Sequence, residues 1–172
     1  MEFSKEDFRN TGIDPISNSK WDLTDYYELC CKSEFHGCAI ITSIDKKYVN
    51  GPVNALVNIL HRNCIEGEGW SQNQISIDQL FNFCLSSGYL SNNNATEINR
   101  DDFLKSYHEI IDGMPEYENF EIKKNGKLIP EFDRFENEFI VASYCIDDSW
   151  NNRQYLIETE FNWIFFDWGT GV

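Results

Sequence analysis

Residues 138–168 read EFIVASYCIDDSWNNRQYLIETEFNWIFFDW and form the most apolar part of the chain. Within them, β-branched and aromatic residues make three runs, at 139–146, 155–157 and 163–166. Clusters of Asp, Asn and Ser separate the runs, and such clusters favour turns. The stretch therefore predicts a meander of antiparallel strands, on which the preceding part of the chain packs.

Upstream of this stretch the periodicity is helical. Apolar residues recur at every third or fourth position, which is the spacing of one helix face. The segment 38–44 (CAIITSI) is different, because it fits either a buried strand or one turn of a buried helix. The helical pattern predicts four helices, at about 22–32, 52–64, 77–85 and 99–111.

Several residues indicate where these helices begin and end. Pro52 suits a first helical turn, where its missing N–H costs nothing. The pair Ser76 and Gln79 has capping-box spacing, and Gly88 is a typical left-handed stop. The last of the four helices begins at Asn99 or Asp101.

From residue 118 onward the pattern alternates, and Asn125-Gly126 is a strong hairpin signal. With the three runs above, this predicts about five strands. The predicted fold class is α+β, with N-terminal helices packed on one face of a C-terminal antiparallel sheet of about five strands. We expect a single domain over 1–172, with a loose N-terminal arm at 1–20, a mainly helical part at 21–113 and an antiparallel β meander at 118–168.

The charge of the chain is strongly negative. It has 14 Lys and Arg against 29 Asp and Glu, which gives a formal net charge of −15 over 172 residues. Such a field repels nucleic acid and anionic membrane surfaces and attracts basic proteins. We therefore predict a basic protein partner, no nucleic acid and no membrane; the alternative is that the acidity serves only to keep the protein soluble.

The first ten residues, MEFSKEDFRN, lack the apolar segment of a secretory signal. We therefore expect a cytoplasmic protein. In that compartment cysteines are reduced thiols, and most of the six here lie within apolar segments. The cysteines are Cys30, Cys31, Cys38, Cys64, Cys84 and Cys145.

Two groups of cysteine and histidine residues have the composition of a catalytic site or a metal site. His36 lies two residues before Cys38, with Cys30 and Cys31 nearby, and a catalytic thiolate needs such a base. The set His36, Cys38, His61 and Cys64 could hold a metal ion. In both cases structural burial of the cysteines is the favoured alternative, so the sequence predicts no catalytic residue, no metal and no cofactor.

Paired carboxylates are a third possibility for chemistry, because acid catalysis uses two carboxylates held in one cleft. Each pair has a simpler interpretation. Negative charge at a helix start is favoured by the helix dipole, Asp is common in turns, and carboxylates on one strand face are usually solvated. The pairs are Asp101 with Asp102, Asp147 with Asp148, and Glu158 with Glu160.

Acidic and aromatic residues are mixed throughout the C-terminal meander. Interfaces use aromatic anchors surrounded by charge. The alternative is a solvated sheet face with Trp150 folded inward. We predict that the partner-binding residues are Asp147, Asp148, Trp150, Glu158, Glu160 and Asp167.

The meander DDSWNNRQYLIETEFNWIFFDW, at 147–168, and the small acidic chain around it resemble the immunity proteins of contact-dependent growth inhibition and other bacterial polymorphic toxin systems. The resemblance is one of general character over the whole chain and carries over no binding residues. It implies a protein that blocks the active site of a cognate, basic toxin, such as a nuclease, by imitating the charge of nucleic acid. The alternatives are a small cysteine-dependent or hydrolytic enzyme and an acidic adaptor protein.

Overall fold

The computed structural model describes residues 1–12, 23–31, 37–68, 76–116, 119–132, 134–135 and 138–170. Its centre is one antiparallel sheet. The strands are β1 (Thr24–Cys31), β2 (Cys38–Asp45), β3 (Thr96–Ile98), β4 (Phe120–Lys124), β5 (Lys127–Leu128), β6 (Ile140–Ser149), β7 (Asn152–Thr159) and β8 (Asn162–Gly169). They lie in the order β3-β6-β7-β8-β2-β1-β4-β5. The α+β class is thus confirmed, and the sheet has eight strands where the sequence predicted about five.

Among the described residues, four helices accompany the sheet. They are α1 (Lys5–Asn10), α2 (Pro52–Glu68), α3 (Ile77–Ser87) and α4 (Arg100–Ile111), with short 3₁₀ turns at Lys46–Tyr48 and Met114–Glu116. Within the described ranges, no helix has both the length and the hydropathy needed to cross a membrane.

The three apolar runs of the C-terminal stretch lie in β6, β7 and β8, as predicted. These strands pair consecutively, so that Cys145 lies opposite Tyr155 and Tyr155 lies opposite Phe166. The Asn125-Gly126 hairpin is also confirmed, because it joins β4 to β5, and both residues have positive φ angles. The turn residues were therefore sufficient to predict how these strands are connected.

The helix predicted at about 22–32 is wrong for the residues described there, since Thr24–Cys31 is the strand β1. Tyr26, Tyr27 and Cys30 satisfy a helical spacing, but aromatic and β-branched residues also favour strands. Pairing with β2 on one side and β4 on the other decides in favour of the strand. The ambiguous segment 38–44 lies in β2, which makes it a strand too.

The N-terminal residues 1–12 are not the loose arm that the sequence predicted. Ser4 and Asp7 form a capping box at the start of α1. Phe3 and Phe8 are fully buried in the core, and the Phe8 ring lies 4.9 Å from that of Phe81. The remainder of the predicted arm, 13–20, lies outside the described residues.

The predicted helix ends are confirmed where the chain has clear capping residues. Ser76 and Gln79 form the capping box of α3, and Gly88 ends that helix with a φ of 82°. Asn99 caps α4 by accepting a hydrogen bond from the backbone N–H of Asp102 at 2.8 Å. Pro52 begins α2.

Helices lie on both faces of the sheet. Neighbouring residues of a strand point to opposite faces. In β7, Leu156 belongs to the core that contains Leu60 of α2, whereas Tyr155 belongs to the core that contains Tyr107 of α4. This differs from the predicted arrangement, in which all helices covered a single face.

Candidate partner-binding surface

The turn between β6 and β7 carries three of the six predicted partner-binding residues. Asp147 lies opposite Gln154 and Asp148 lies opposite Arg153, and the turn closes at Ser149–Asn152. Trp150 is at the apex with its side chain 77% exposed. The Trp150 ring is therefore not folded inward. We call Asp147, Asp148 and Trp150 the hairpin tip.

The carboxylate of Asp147 holds the turn together. It accepts hydrogen bonds from the backbone N–H of Ser149 at 3.0 Å and from Asn152 Nδ2 at 2.8 Å. Asn152 in turn donates to the hydroxyl of Ser91. Asp147 therefore has the turn chemistry expected of an Asp at this position, and its bonds fix the shape in which Trp150 is presented.

The carboxylate of Asp148 is tied to the sheet and to α4. The hydroxyl of Tyr155 donates a hydrogen bond to Asp148 Oδ1 at 2.7 Å. Arg153 forms ion pairs with Asp148 at 3.3 Å and with Glu109 of α4 at 3.0 Å. The Asp148 side chain nevertheless remains 55% exposed. Arg153 thus balances part of the negative charge of Asp148, and the Asp148 carboxylate remains accessible to solvent.

Asp167 lies on β8, beside the hairpin tip. Gln154 stands between Asp147 and Asp167 in one row across the sheet, and its Nε2 donates to Asp167 Oδ1 at 3.0 Å. Burial raises the pKa of Asp167 to about 7, and the nearby Asp147 adds to this effect. Near neutral pH Asp167 is therefore only partly ionised, which makes it a weak anionic contact.

Glu158 and Glu160 lie at the other end of β7. Glu158 forms an ion pair with Lys46. Glu160 is exposed in the turn between β7 and β8. An eight-residue strand rises about 3.3 Å per residue and so separates this far turn from the hairpin tip by roughly 23 Å. The six predicted residues thus form two groups, one at each end of the strand.

The far turn also exposes apolar side chains that the sequence reasoning missed. Phe139 is 70% exposed and Phe161 is 59% exposed, and Val141 is exposed as well. The backbone N–H of Glu160 donates to the carbonyl of Phe139 at 2.9 Å, which brings the two aromatic residues to the same end of the sheet. The apolar run FIV at 139–141 could have indicated this surface. Its exposure could not be predicted, because it depends on β3, which pairs with Ser143–Cys145 of β6 and does not reach residues 139–141.

The cysteines are not all reduced thiols. The structure joins Cys30 of β1 to Cys38 of β2 in a disulfide, which corrects the expectation of six thiols. This pairing was not predicted from the sequence, because it depends on β1 being a strand. Cys30 and Cys38 lie opposite each other, with 4.4 Å between their Cα atoms.

The alternative metal-binding set of His36, Cys38, His61 and Cys64 is not assembled among the described residues. His36 lies outside them. His61 is buried in α2, and burial lowers its pKa to about 4. Cys64 packs in the core with 3.6 Å between its sulfur and that of Cys84.

Cys31, Cys84 and Cys145 are thiols whose pKa values are raised. Burial raises the pKa of the Cys31 and Cys145 thiols, and Asp148 and Asp147 add to the effect at Cys145. The pKa of Cys84 is raised by its contact with Cys64 and by burial. A thiol with a raised pKa supplies little thiolate at neutral pH, which weighs against a cysteine-dependent reaction at these positions.

Asp101 and Asp102 occupy the first turn of α4, where Asn99 caps the helix, so their helix-start interpretation is confirmed. A cavity of about 810 Å³ is lined by residues of β1, β4 and β5 and of the chain that follows, among them the apolar Leu29 and Ile122 and the charged Arg134. None of the six predicted partner-binding residues lines it. The cavity and the hairpin tip are therefore separate features.

Comparisons of this chain with protein-family models, with characterised proteins and with solved structures give no match.

Proposed function

We propose that this protein is an immunity-type binding protein that acts in the cytoplasm. It neutralises a cognate basic toxin, such as a nuclease, by covering the toxin's active site. The hairpin tip is the contact surface, with Trp150 as the anchor and Asp147 and Asp148 as its charged flank. Exposure of Trp150 at a turn fixed by hydrogen bonds is the observation that carries the proposal.

Tryptophan is the residue most enriched among those that contribute strongly to protein binding. An exposed indole gains most from binding when it is held in place beforehand, because less conformational freedom is then lost. At the hairpin tip, Asp147 fixes the turn and Asp148 is held by Tyr155 and Arg153. Trp150 is therefore presented by a turn whose two aspartates are held by hydrogen bonds and an ion pair.

The charge of the molecule suits a basic partner. A net charge of −15 accelerates the approach of a cation, and the effect weakens as salt is added. A toxin that binds nucleic acid carries the complementary positive charge. Carboxylates around an aromatic anchor can then occupy the positions that phosphates take in the toxin's substrate.

The proposal is tested with the product of the gene directly upstream, where we expect the toxin to be encoded. Co-expression of this protein should restore growth to cells that produce the toxin. In binding kinetics, Trp150→Ala should weaken the complex by about 2 kcal/mol, or roughly thirtyfold in Kd, mainly through faster dissociation. Asp147→Asn/Asp148→Asn should slow association and flatten its dependence on salt, while Asn retains an oxygen acceptor for the turn.

The matched control is Asp101→Asn/Glu131→Gln, which removes the same charge from exposed positions outside the hairpin tip. Its kinetics should stay close to those of the wild type. Full affinity in both hairpin-tip variants would mean that the toxin binds a different surface of the protein. Failure to protect the cells and to bind the upstream product would reject the immunity function, and binding without protection would favour an adaptor.

A further inference from the structure

Glu28, Cys30 and Cys38 form a cluster on the face of the sheet that also carries Asp167. Glu28 and Cys30 are two residues apart on β1, so their side chains share a face. Cys38 on β2 lies directly opposite Cys30. Among the described residues, this is the group of three carboxylate, thiol or imidazole side chains whose ligand atoms all lie within 4.8 Å of one another. We call it the thiol cluster.

The spacing in the thiol cluster agrees with that of a zinc site. Cys30 Sγ lies 3.7 Å from Glu28 Oε1. Zinc bonds of about 2.3 Å to sulfur and 2.1 Å to oxygen, at a tetrahedral angle, place the two ligand atoms about 3.6 Å apart. Glu28 and Cys30 therefore already stand at the separation that a shared zinc ion requires. Cys38 joins them by a side-chain rotation once its bond to Cys30 is opened.

The surroundings of the thiol cluster supply what a metal site needs beyond its ligands. Lys123 of β4 lies opposite Glu28 and donates a hydrogen bond to Glu28 Oε1 at 3.2 Å, which orients the carboxylate. Two thiolates and one carboxylate carry three negative charges, which one divalent cation and the Lys123 ammonium balance. Cys38 also lines a cavity of about 220 Å³, which gives room for a water molecule as the fourth ligand.

We propose that the reduced form of this protein binds one Zn²⁺ ion through Cys30, Cys38 and Glu28, and that the Cys30–Cys38 disulfide is the oxidised, metal-free form of the same site. A dithiol supplies two electrons and two protons to the disulfide and leaves as a disulfide; a phosphine supplies the two electrons, and water supplies the two protons and the oxygen of the phosphine oxide that leaves. The two sulfurs take up two protons as thiols. Zinc binding then releases those two protons and forms two Zn–S bonds.

A disulfide is rare in the cytoplasm, whereas a dithiol metal site is common there. The same two cysteines therefore stabilise the β1–β2 pair in either environment, through an S–S bond under oxidising conditions and through zinc under reducing ones. This assignment does not depend on the immunity function.

The test uses the full chain, reduced with a phosphine, and Zn²⁺ alone as the probe. Competition with a chromophoric chelator should give one zinc ion per chain. Co²⁺ in place of Zn²⁺ should give the thiolate-to-metal absorption band of a tetrahedral sulfur site. Zinc should also raise the Tm of the reduced protein, because it binds the folded state. The oxidised protein should show none of these effects.

Cys30→Ser and Cys38→Ser should each lose stoichiometric binding, and Glu28→Gln should weaken it at least tenfold. Cys145→Ser removes a half-buried sheet cysteine outside the thiol cluster and is the matched control. Circular dichroism of each variant under the same reducing conditions shows that it is folded. Equal zinc binding by reduced wild type and by Cys30→Ser or Cys38→Ser would overturn the site, and so would full affinity in Glu28→Gln.

Discussion

Three aspartates lie close together at one end of the sheet, but their environments give them different roles. The Asp147 carboxylate fixes the turn, that of Asp148 is held by Tyr155 and Arg153, and Asp167 is half-buried beside Gln154. All three were predicted from the sequence to be partner-binding residues. At the scale of single residues, hydrogen-bond partners and burial decide how much negative charge each one offers to a partner.

The raised pKa of Asp167 predicts a specific pH dependence of stability. Its folded pKa of about 7 lies above its ordinary value of 3.8, so the folded state binds this proton more tightly than the unfolded state does. The stability that this proton contributes is complete below about pH 4 and is lost as the pH rises through 7. Asp167→Asn should therefore match the wild type near pH 4 and exceed it by up to about 4 kcal/mol at pH 8.

Urea denaturation at several pH values measures this difference. Glu131→Gln is the control, because Glu131 is exposed and lies outside the helices and strands, so its replacement should change stability by less than about 0.5 kcal/mol. A constant difference between Asp167→Asn and the wild type across this range would contradict the raised pKa.

At the scale of secondary-structure elements, local signals were sufficient for helix ends and tight turns. The Ser76–Gln79 capping box, Gly88, Asn99 and the Asn125-Gly126 turn were all found from the sequence. Each of these depends on a backbone group and a side chain only a few residues apart. Such interactions can be recognised without knowing the rest of the fold.

The conformation of Gly88 can be tested directly. Its φ of 82° favours glycine, and a Cβ at this position would meet no atom within 4 Å. Gly88→Ala should therefore lower the free energy of unfolding by about 1 kcal/mol through backbone strain alone. Urea denaturation measures the change.

Gly113 provides the comparison for Gly88. A Cβ there would make ordinary contacts at 3.7 and 3.8 Å, and its φ is outside the positive range. Gly113→Ala should leave stability unchanged or raise it by up to about 0.5 kcal/mol. If the two variants behaved alike, the left-handed end of α3 would be in doubt.

The elements that sequence reasoning missed depend on distant partners. The strand β1 acquires its conformation from β2 and β4, and the short β3 pairs with β6 much later in the chain. The same limit applies to the candidate sites. The hairpin tip is contiguous in sequence and was predicted, whereas the Cys30–Cys38 pair and the exposed Phe139 depend on strand pairing.

At the scale of the whole molecule, the excess of negative charge opposes folding. Carboxylates are closer together in the folded state than in the unfolded chain, so their repulsion is larger there. Exposed ion pairs such as that between Arg134 and Asp112, at 2.7 Å, offset only a small part of this repulsion.

Salt should therefore stabilise this protein. Raising NaCl from about 10 to 150 mM shortens the Debye length from roughly 30 to 8 Å and should add on the order of 1 kcal/mol to the free energy of unfolding at pH 7.5. The same titration near the pI of about 4.4 is the control, because the net charge there is close to zero. A decrease in stability with NaCl at pH 7.5 would mean that attractive ion pairs outweigh the net repulsion.

The position of β2 in the sheet has a consequence for how the protein is made. β2 lies between β1, which precedes it immediately, and β8, which a ribosome synthesises long afterwards. Thr42 in the middle of β2 pairs with Phe165, so one edge of an apolar strand stays open while most of the chain is still being translated. β2 therefore gains its second neighbouring strand only after β8 has been translated. Until then, a stalled nascent chain exposes that edge of β2 to aggregation or to chaperones.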